Sequence, residues 1–269
     1  MQRTDRLIRL TQILLERPGH PVSLAHLAEA WGVAKSTLSE DVASIRRTLL
    51  EAGKGTVETL VGVQGGVRYH ADVPTAEREG FLADLAKRLS GPERVLPGGF
   101  VYMSDVLGNP YVLDAVGRMF STQFWSKRVN VVVTVETKGI TLATATARHL
   151  DVPIAIVRRD QRVTEGAAIS THYVSGSNRR IQTMSLGKRA MPADARALIV
   201  DDFMRAGATA RAVVDLLKEF AAEVVGTAVF MATSQPAEKM VDNYFSLLRV
   251  HEVSAQGADV QPASFADNS

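Results

Sequence analysis

ALIVDDFMRAGATAR, residues 197–211, decides how the larger part of this chain folds and what it can hold. Ala197 to Val200 form an apolar run of the kind found in strands buried on both faces. Asp201 and Asp202 follow at the carboxyl end of that strand, where open α/β sheets place their ligands, and the chain then turns into a helix. Ala206, Gly207 and Ala208 are small enough for backbone N–H groups to approach a phosphate, and Thr209 adds a hydroxyl. Two adjacent carboxylates suit ribose hydroxyls or a Mg²⁺-bound sugar better than phosphate itself. A plain strand-to-helix cap accounts for Thr209 and one aspartate, but not for the acid pair and the small-residue turn together.

Outward from this stretch, the apolar runs VNVVVTV (129–135), VPIAIV (152–157) and VVGTAVFMA (224–232) read as further buried strands. Small-residue and amphipathic helical segments separate them, so parallel strand-helix-strand units follow. TVETKG, 134–139, ends the first of these strands, and Thr137, Lys138 and the Gly139 amide supply donors and positive charge for an anion. Arg158 and Arg159 stand near another strand end. THYVSGSNRRIQTMSL (171–186) suggests two strands around a loop. EKMVDNYFSLLRVHEVS (238–254) reads as a helix and a short strand, and GADVQPASFADNS (257–269) as a frayed end. Tyr102 and Phe203 are aromatic candidates for stacking on a base, with packing an equal claim on Tyr102.

The amino-terminal part has a different pattern. Leu7, Ile8, Leu10, Ile13, Leu14 and Leu15 recur at near-helical spacing from Thr4 to Arg17, and Pro18, Gly19 and Pro21 stop the helix. Ser23 caps a short second helix, Gly32 permits a sharp turn, and Ser36 caps a third helix with Leu38, Val42, Ile45 and Leu49 inward. TVETLVGVQGGVRYH (56–70) reads as two strands around a turn in which Gly65 and Gly66 accept a left-handed conformation. Three helices followed by a glycine-tipped hairpin match a winged helix-turn-helix. Its DNA-facing candidates are Lys35, Ser36, Thr37 and Ser39, with Arg46, Arg47 and, from the wing, Arg68 for phosphates. Residues 1–73 form this domain; 74–269, beginning with a connecting helix from Thr75 to Leu89, form the second.

Composition narrows the classes. With 269 residues and 46% apolar content the chain can bury two cores. A net charge of +2 argues against a polybasic coat but permits a local contact surface. Cysteine is absent, which excludes disulfides and thiolate metal sites, and the six histidines lack ligand spacing. No apolar run is long enough to cross a bilayer and no secretory signal opens the chain, so a cytoplasmic protein without a membrane partner is expected.

Residues 197–211 resemble the phosphoribosyl-pyrophosphate motif of type I phosphoribosyltransferases, and TVETKG resembles their pyrophosphate loop. The whole chain through at least Leu248 resembles the purine operon repressor family of Gram-positive bacteria. That likeness is carried by AKSTLSEDVASIR (34–46), QGGVRY (64–69), GPERVLPGGFVYMSDVLG (91–108), VTEGAAISTHYVSGSNRRIQTMSL (163–186) and IVDDFMRAGAT (199–209). It implies an α/β fold: an N-terminal winged helix-turn-helix plus a type I phosphoribosyltransferase-like domain with a mainly parallel sheet. It further implies a homodimer on double-stranded operator DNA, repression of purine biosynthesis and transport genes, phosphoribosyl pyrophosphate as inducer, with or without Mg²⁺, and lost transferase catalysis. The implied effector set is Thr137, Lys138 and Gly139 with Asp201, Asp202, Phe203, Met204, Arg205, Ala206, Gly207, Ala208 and Thr209. A guanine nucleotide sharing the anion loops would compete. Ala208 replaces the usual second glycine of the loop; either it bears a penalty of about 1 kcal/mol at positive φ, or it is helical and indifferent. The rival readings are an active purine phosphoribosyltransferase with an added winged domain, and a sugar-phosphate sensor that does not bind DNA.

Overall fold

The structure, a computed structural model, describes residues 1–62, 65–160, 166–174 and 181–264. Three helices, α1 (Arg3–Glu16), α2 (Leu24–Trp31) and α3 (Lys35–Glu51), precede an antiparallel hairpin of β1 (Gly55–Leu60) and β2 (Gly66–Ala71). The side chains that share their core follow from the apolar spacing: Leu10 and Leu14 from α1, Leu38, Val42 and Ile45 from α3, Val57, Val67 and Tyr69 from the hairpin. Ile8 and Leu15 of the first stripe stay exposed. Ser23 accepts from the His26 amide at 3.3 Å, as a cap should. Gly32 takes the left-handed conformation that ends α2.

Two local expectations are corrected. Ala34, not Ser36, is the N-cap of α3, with no side-chain cap bond, and Ser36 lies inside the first turn. In the wing, Gly62 adopts positive φ while Gly66 does not. Gly66 is needed for another reason: a Cβ there would lie 2.3 Å from the Val22 carbonyl oxygen. Val22 and Val67 exchange backbone hydrogen bonds at 2.7 and 2.9 Å, so the α1–α2 connection adds a bridge to the wing. Residues 63 and 64 of the turn lie outside the described set.

The connecting helix α4 (Thr75–Leu89) leads through a small hairpin, β3 (Val95–Leu96) and β4 (Phe100–Val101), to α5 (Pro110–Phe124), capped by Asn109. Next come β5 (Val131–Val135), α6 (Gly139–Leu150) and β6 (Ile154–Val157). A hairpin of β7 (Ala168–Val174) and β8 (Ile181–Gly187) precedes β9 (Arg196–Met204), α7 (Ala208–Lys218), β10 (Glu223–Thr233), β11 (Tyr244–Ser254) and β12 (Gly257–Pro262). The six-stranded sheet runs β12-β11-β10-β9-β5-β6, parallel except for β12. Continuous apolar runs suit strands with both faces covered. Val132, Leu198 and Val200 pack into the core on the α5–α6 side, while Val131, Val133, Ala197 and Ile199 join the core that includes α7 and the β7–β8 hairpin.

The carboxyl-terminal expectations fail. No helix forms between residues 238 and 254; bends run to Asn243, and the whole of β11 follows. Phe245, Ser246, Leu247 and Leu248 are buried on both faces of the sheet, which erases the period-2 signal of a half-wet strand. The expected frayed end is instead β12, whose Ala258 and Val260 are buried while Asp259 and Gln261 face out. It pairs with β11 and packs against α4, closing the sheet edge; residues 265–269 lie outside the described set. Among the described residues no helix is long and apolar enough to cross a membrane.

The two parts meet along a defined junction. Arg17 and His20 reach Asp151, which caps α6, at 2.8 and 2.7 Å. Thr122 Oγ1 donates to the Ala71 carbonyl oxygen at 3.1 Å. The rings of His70 and Trp125 lie 4.2 Å apart.

Candidate functional site

The sheet opens where its strand order reverses. β5 pairs with β6 up to Val135↔Val157 and β9 pairs with β10 up to Met204↔Ala232, but β5 and β9 pair only as far as Val133↔Ile199. A crevice therefore begins at the carboxyl ends of β5 and β9, where one chain segment turns into α6 and the other into α7, the usual ligand position in such sheets. A cavity of about 790 Å³ occupies it.

Both sequence-derived loops line this cavity. Thr137 and Lys138 come from the β5–α6 turn, and the nine residues from Asp201 to Thr209 come from the end of β9, the following turn and the start of α7. Gly139 sits beneath them: a Cβ there would meet Thr134 Oγ1 at 2.3 Å and Asp201 Oδ1 at 3.1 Å. The glycine thus lets the first loop close onto the acid pair. Thr137 and Lys138 are exposed, and a cis peptide bond joins Glu136 to Thr137.

The question raised by Ala208 is answered by the backbone. Gly207 takes the left-handed conformation at φ +87° as N-cap, and Ala208 is the first residue of α7. The alanine therefore bears no strain, and the N-terminal amides of α7 face the cavity wall formed by Ala208, Thr209 and Ala210. The loop is braced from behind. Met240 N donates to the Ala206 carbonyl oxygen at 2.8 Å, and Thr233 Oγ1 lies 3.2 Å from that of Arg205. Lys239 Nζ donates to the Thr233 carbonyl oxygen at 2.7 Å; burial, with Arg249 nearby, lowers this amine to a pKa of about 8.

Desolvation, and then the neighbouring Asp202, hold the Asp201 carboxyl well above the usual carboxylate range. Its Oδ1 accepts from the Asp202 amide at 2.9 Å. The remaining lone pairs of the acid pair suit hydroxyl donors or a hard cation. No cluster of three or more potential metal ligands occurs among the described residues, so a cation here would need ligand oxygens to complete its shell.

Several lining residues lay outside the sequence-derived set. Leu96, Pro97, Phe100 and Val101 of the β3–β4 hairpin overhang the cavity with Met103. Their signal was the glycine pair at 98 and 99, both at positive φ, which makes the tight tip. Arg159 also lines it, its amide held by Glu136 Oε1 at 2.9 Å. Phe203 lines the cavity, whereas Tyr102 does not; its ring lies under the Arg94 guanidinium, 5.9 Å from Cζ to the centroid.

On the amino-terminal domain, Lys35, Ser36, Ser39 and Arg47 are exposed on α3 and Thr37 is half-buried. Arg46 turns back onto the wing, donating to the Val57 carbonyl oxygen at 2.6 Å and to Thr59 Oγ1 at 2.7 Å. Arg68 is half-buried and faces the interdomain junction. Asp41 is 1% exposed and ion-paired to Arg6 at 2.8 Å, which fixes α3 against α1.

Two family models match the chain. "Bacterial purine repressor, N-terminal" covers residues 2–71 and "Phosphoribosyl transferase domain" covers residues 103–264. The purine biosynthesis transcriptional repressor PurR of Bacillus subtilis (strain 168) is 44% identical over 260 residues, 97% of this chain and 91% of that protein. The purine biosynthesis transcriptional activator PurR of Lactococcus lactis subsp. lactis (strain IL1403) is 38% identical over 263 residues, 97% of both chains. Among solved structures, adenine phosphoribosyltransferase from Rhodothermus marinus DSM 4252 superposes with a TM-score of 0.55 at 22% identity, covering 63% of this chain and 99% of that one; it speaks for the fold alone.

Proposed function

This chain belongs to the bacterial purine repressor (PurR) family, winged-helix regulators joined to a phosphoribosyltransferase-like domain, and we propose that it represses purine biosynthesis and transport genes and leaves its operator when phosphoribosyl pyrophosphate binds. The observation that carries the effector half is the crevice at the β5–β9 parting, where an anion loop, an acid pair and a helix N-terminus line one cavity. In this reading the amides and hydroxyl of residues 206–209 bind the 5-phosphate, Asp201 and Asp202 accept from the ribose hydroxyls, and Thr137, Lys138 and Gly139 bind the pyrophosphate. Mg²⁺ accompanying the effector would be held by the acid pair together with effector oxygens and would neutralise charge there. A guanine nucleotide would compete through the same anion loops, with Phe203 available to the base.

The protein acts as a cytoplasmic homodimer that reads double-stranded DNA, without transferase activity. Lys35, Ser36, Thr37 and Ser39 face the groove, and Arg47 contacts phosphate. Arg46, bonded to the first wing strand, and Arg68, at the junction, are further candidates for phosphate contact. The Lactococcus lactis relative, named an activator, motivates a second reading in which the same DNA binding raises transcription.

The test is a salt-controlled DNA-shift titration with and without phosphoribosyl pyrophosphate and Mg²⁺, repeated for Asp202→Ala. A hundredfold weakening by effector corresponds to about 2.7 kcal/mol of coupling. Release of the parent, with little release of the variant, is expected. Unchanged DNA affinity with effector demonstrably bound rejects induction, and transcription in vitro separates repression from activation.

A further inference from the structure

The junction between the two domains holds a second cavity, of about 430 Å³, walled by Glu58, Arg68 and His70 from the hairpin and by Trp125 and Arg128 from the segment after α5. Its size lies within the range of small-ligand pockets, and domain interfaces are favoured places for them. The charges in it do not cancel. Glu58 stands directly across the hairpin from Arg68, yet its carboxylate is engaged by His70 Nε2 at 2.9 Å. Burial lowers the His70 pKa despite that carboxylate, so the ring is mostly neutral near pH 7 and adds no positive charge.

Arg68 Nε is buried with no hydrogen-bond partner, and among the described residues no carboxylate pairs with Arg68 or Arg128. A buried N–H left without an acceptor destabilises a protein by about 1–3 kcal/mol, and an anion in the crevice would supply one to Arg68. Guanidinium groups match phosphate oxygens in charge and in fork geometry. We infer that this crevice is a second anion site, separate from the cavity at the sheet, which takes a phosphate group between Arg68 and Arg128 beside the Trp125 ring. The phosphate comes from a small soluble compound or from the DNA backbone. Because the walls belong to both domains, an occupant holds them in one arrangement. The inference is independent of the effector assignment.

The chain has two tryptophans, so Trp31→Phe leaves Trp125 as the sole reporter inside the crevice. The full-length variant is titrated with inorganic pyrophosphate and, separately, with a duplex of unrelated sequence, following Trp125 emission. A saturable change is expected with at least one probe, and the responding probe identifies the source. Arg128 is exposed, so Arg128→Gln preserves the fold and weakens the apparent affinity at least tenfold, as does Arg68→Gln; Lys138→Gln, in the other cavity, leaves it within twofold. No saturable change with either probe overturns the site. So does a change that survives both arginine substitutions, or one that Lys138→Gln abolishes.

Discussion

Arg17 Nη2 donates to Asp151 Oδ1 at 2.8 Å, joining the end of the first helix to the C-cap of α6. His20 reaches the other oxygen of the same carboxylate at 2.7 Å, and a Cβ on Gly19 would lie 2.6 Å from the Leu150 carbonyl carbon. α6 starts at Gly139 in the effector loop and has 12 residues, so a rigid element of about 18 Å links that loop to the DNA-reading domain. Asp151→Asn should therefore uncouple the two surfaces. Exposed ion pairs contribute about 0–1 kcal/mol, so thermal stability and DNA affinity without effector should change little. Effector-dependent release should fall from a hundredfold to less than tenfold in DNA-shift titrations, with effector affinity by calorimetry unchanged.

Gly139→Ala tests the closeness of the two loops. The added methyl has Thr134 Oγ1 and Asp201 Oδ1 in its way, at 2.3 and 3.1 Å. Overpacking of this kind destabilises by about 1–3 kcal/mol, and here it also pushes the first loop off the acid pair. Effector affinity should drop at least tenfold by calorimetry while operator affinity without effector stays within threefold.

Asp201 predicts a trade between stability and binding. Its folded-state pKa is raised, so between the ordinary carboxylate value and the folded value the native state binds more protons than the unfolded state. The contribution of this group to stability is thus full at low pH and declines as pH rises through the folded pKa. Asp201→Asn keeps an acceptor for the Asp202 amide and removes the poorly solvated carboxylate. Urea denaturation at pH 7 should show a gain on the order of 1 kcal/mol that shrinks below pH 4, with effector affinity reduced at least tenfold.

Asp41→Ala should act on the other domain. The Arg6–Asp41 pair is nearly dry, and removing one partner leaves a buried charge, costing about 3–5 kcal/mol. Proteolysis should cut within residues 1–71 first, and DNA binding should weaken, while calorimetry records normal effector uptake.

Much of the fold was legible because its local signals agree with its packing. Buried runs such as VVVTV contain no charged residue and a single small polar one, Thr134, too little for a wet face, and the acid pair followed by small residues has few packing explanations, so the main strands and the phosphate loop could be read directly. The full length of β11 was missed because Ser246, Arg249 and His251 interrupt the continuous apolar run by which the other buried strands were read, and β12 because its polar half resembles a loose tail until α4 and β11 cover the other half.

The amino-acid order alone determined which segments bury, where the chain must turn and which residues can meet an anion, since these depend on side-chain chemistry and short-range sterics. Only the tertiary structure decided that β5 and β9 part after Val133 and Ile199, that Phe100 and not Tyr102 lines the crevice, and that Arg46 bonds the wing while Arg68 lines the junction. Those outcomes depend on distances between residues far apart in the chain, which local spacing does not encode.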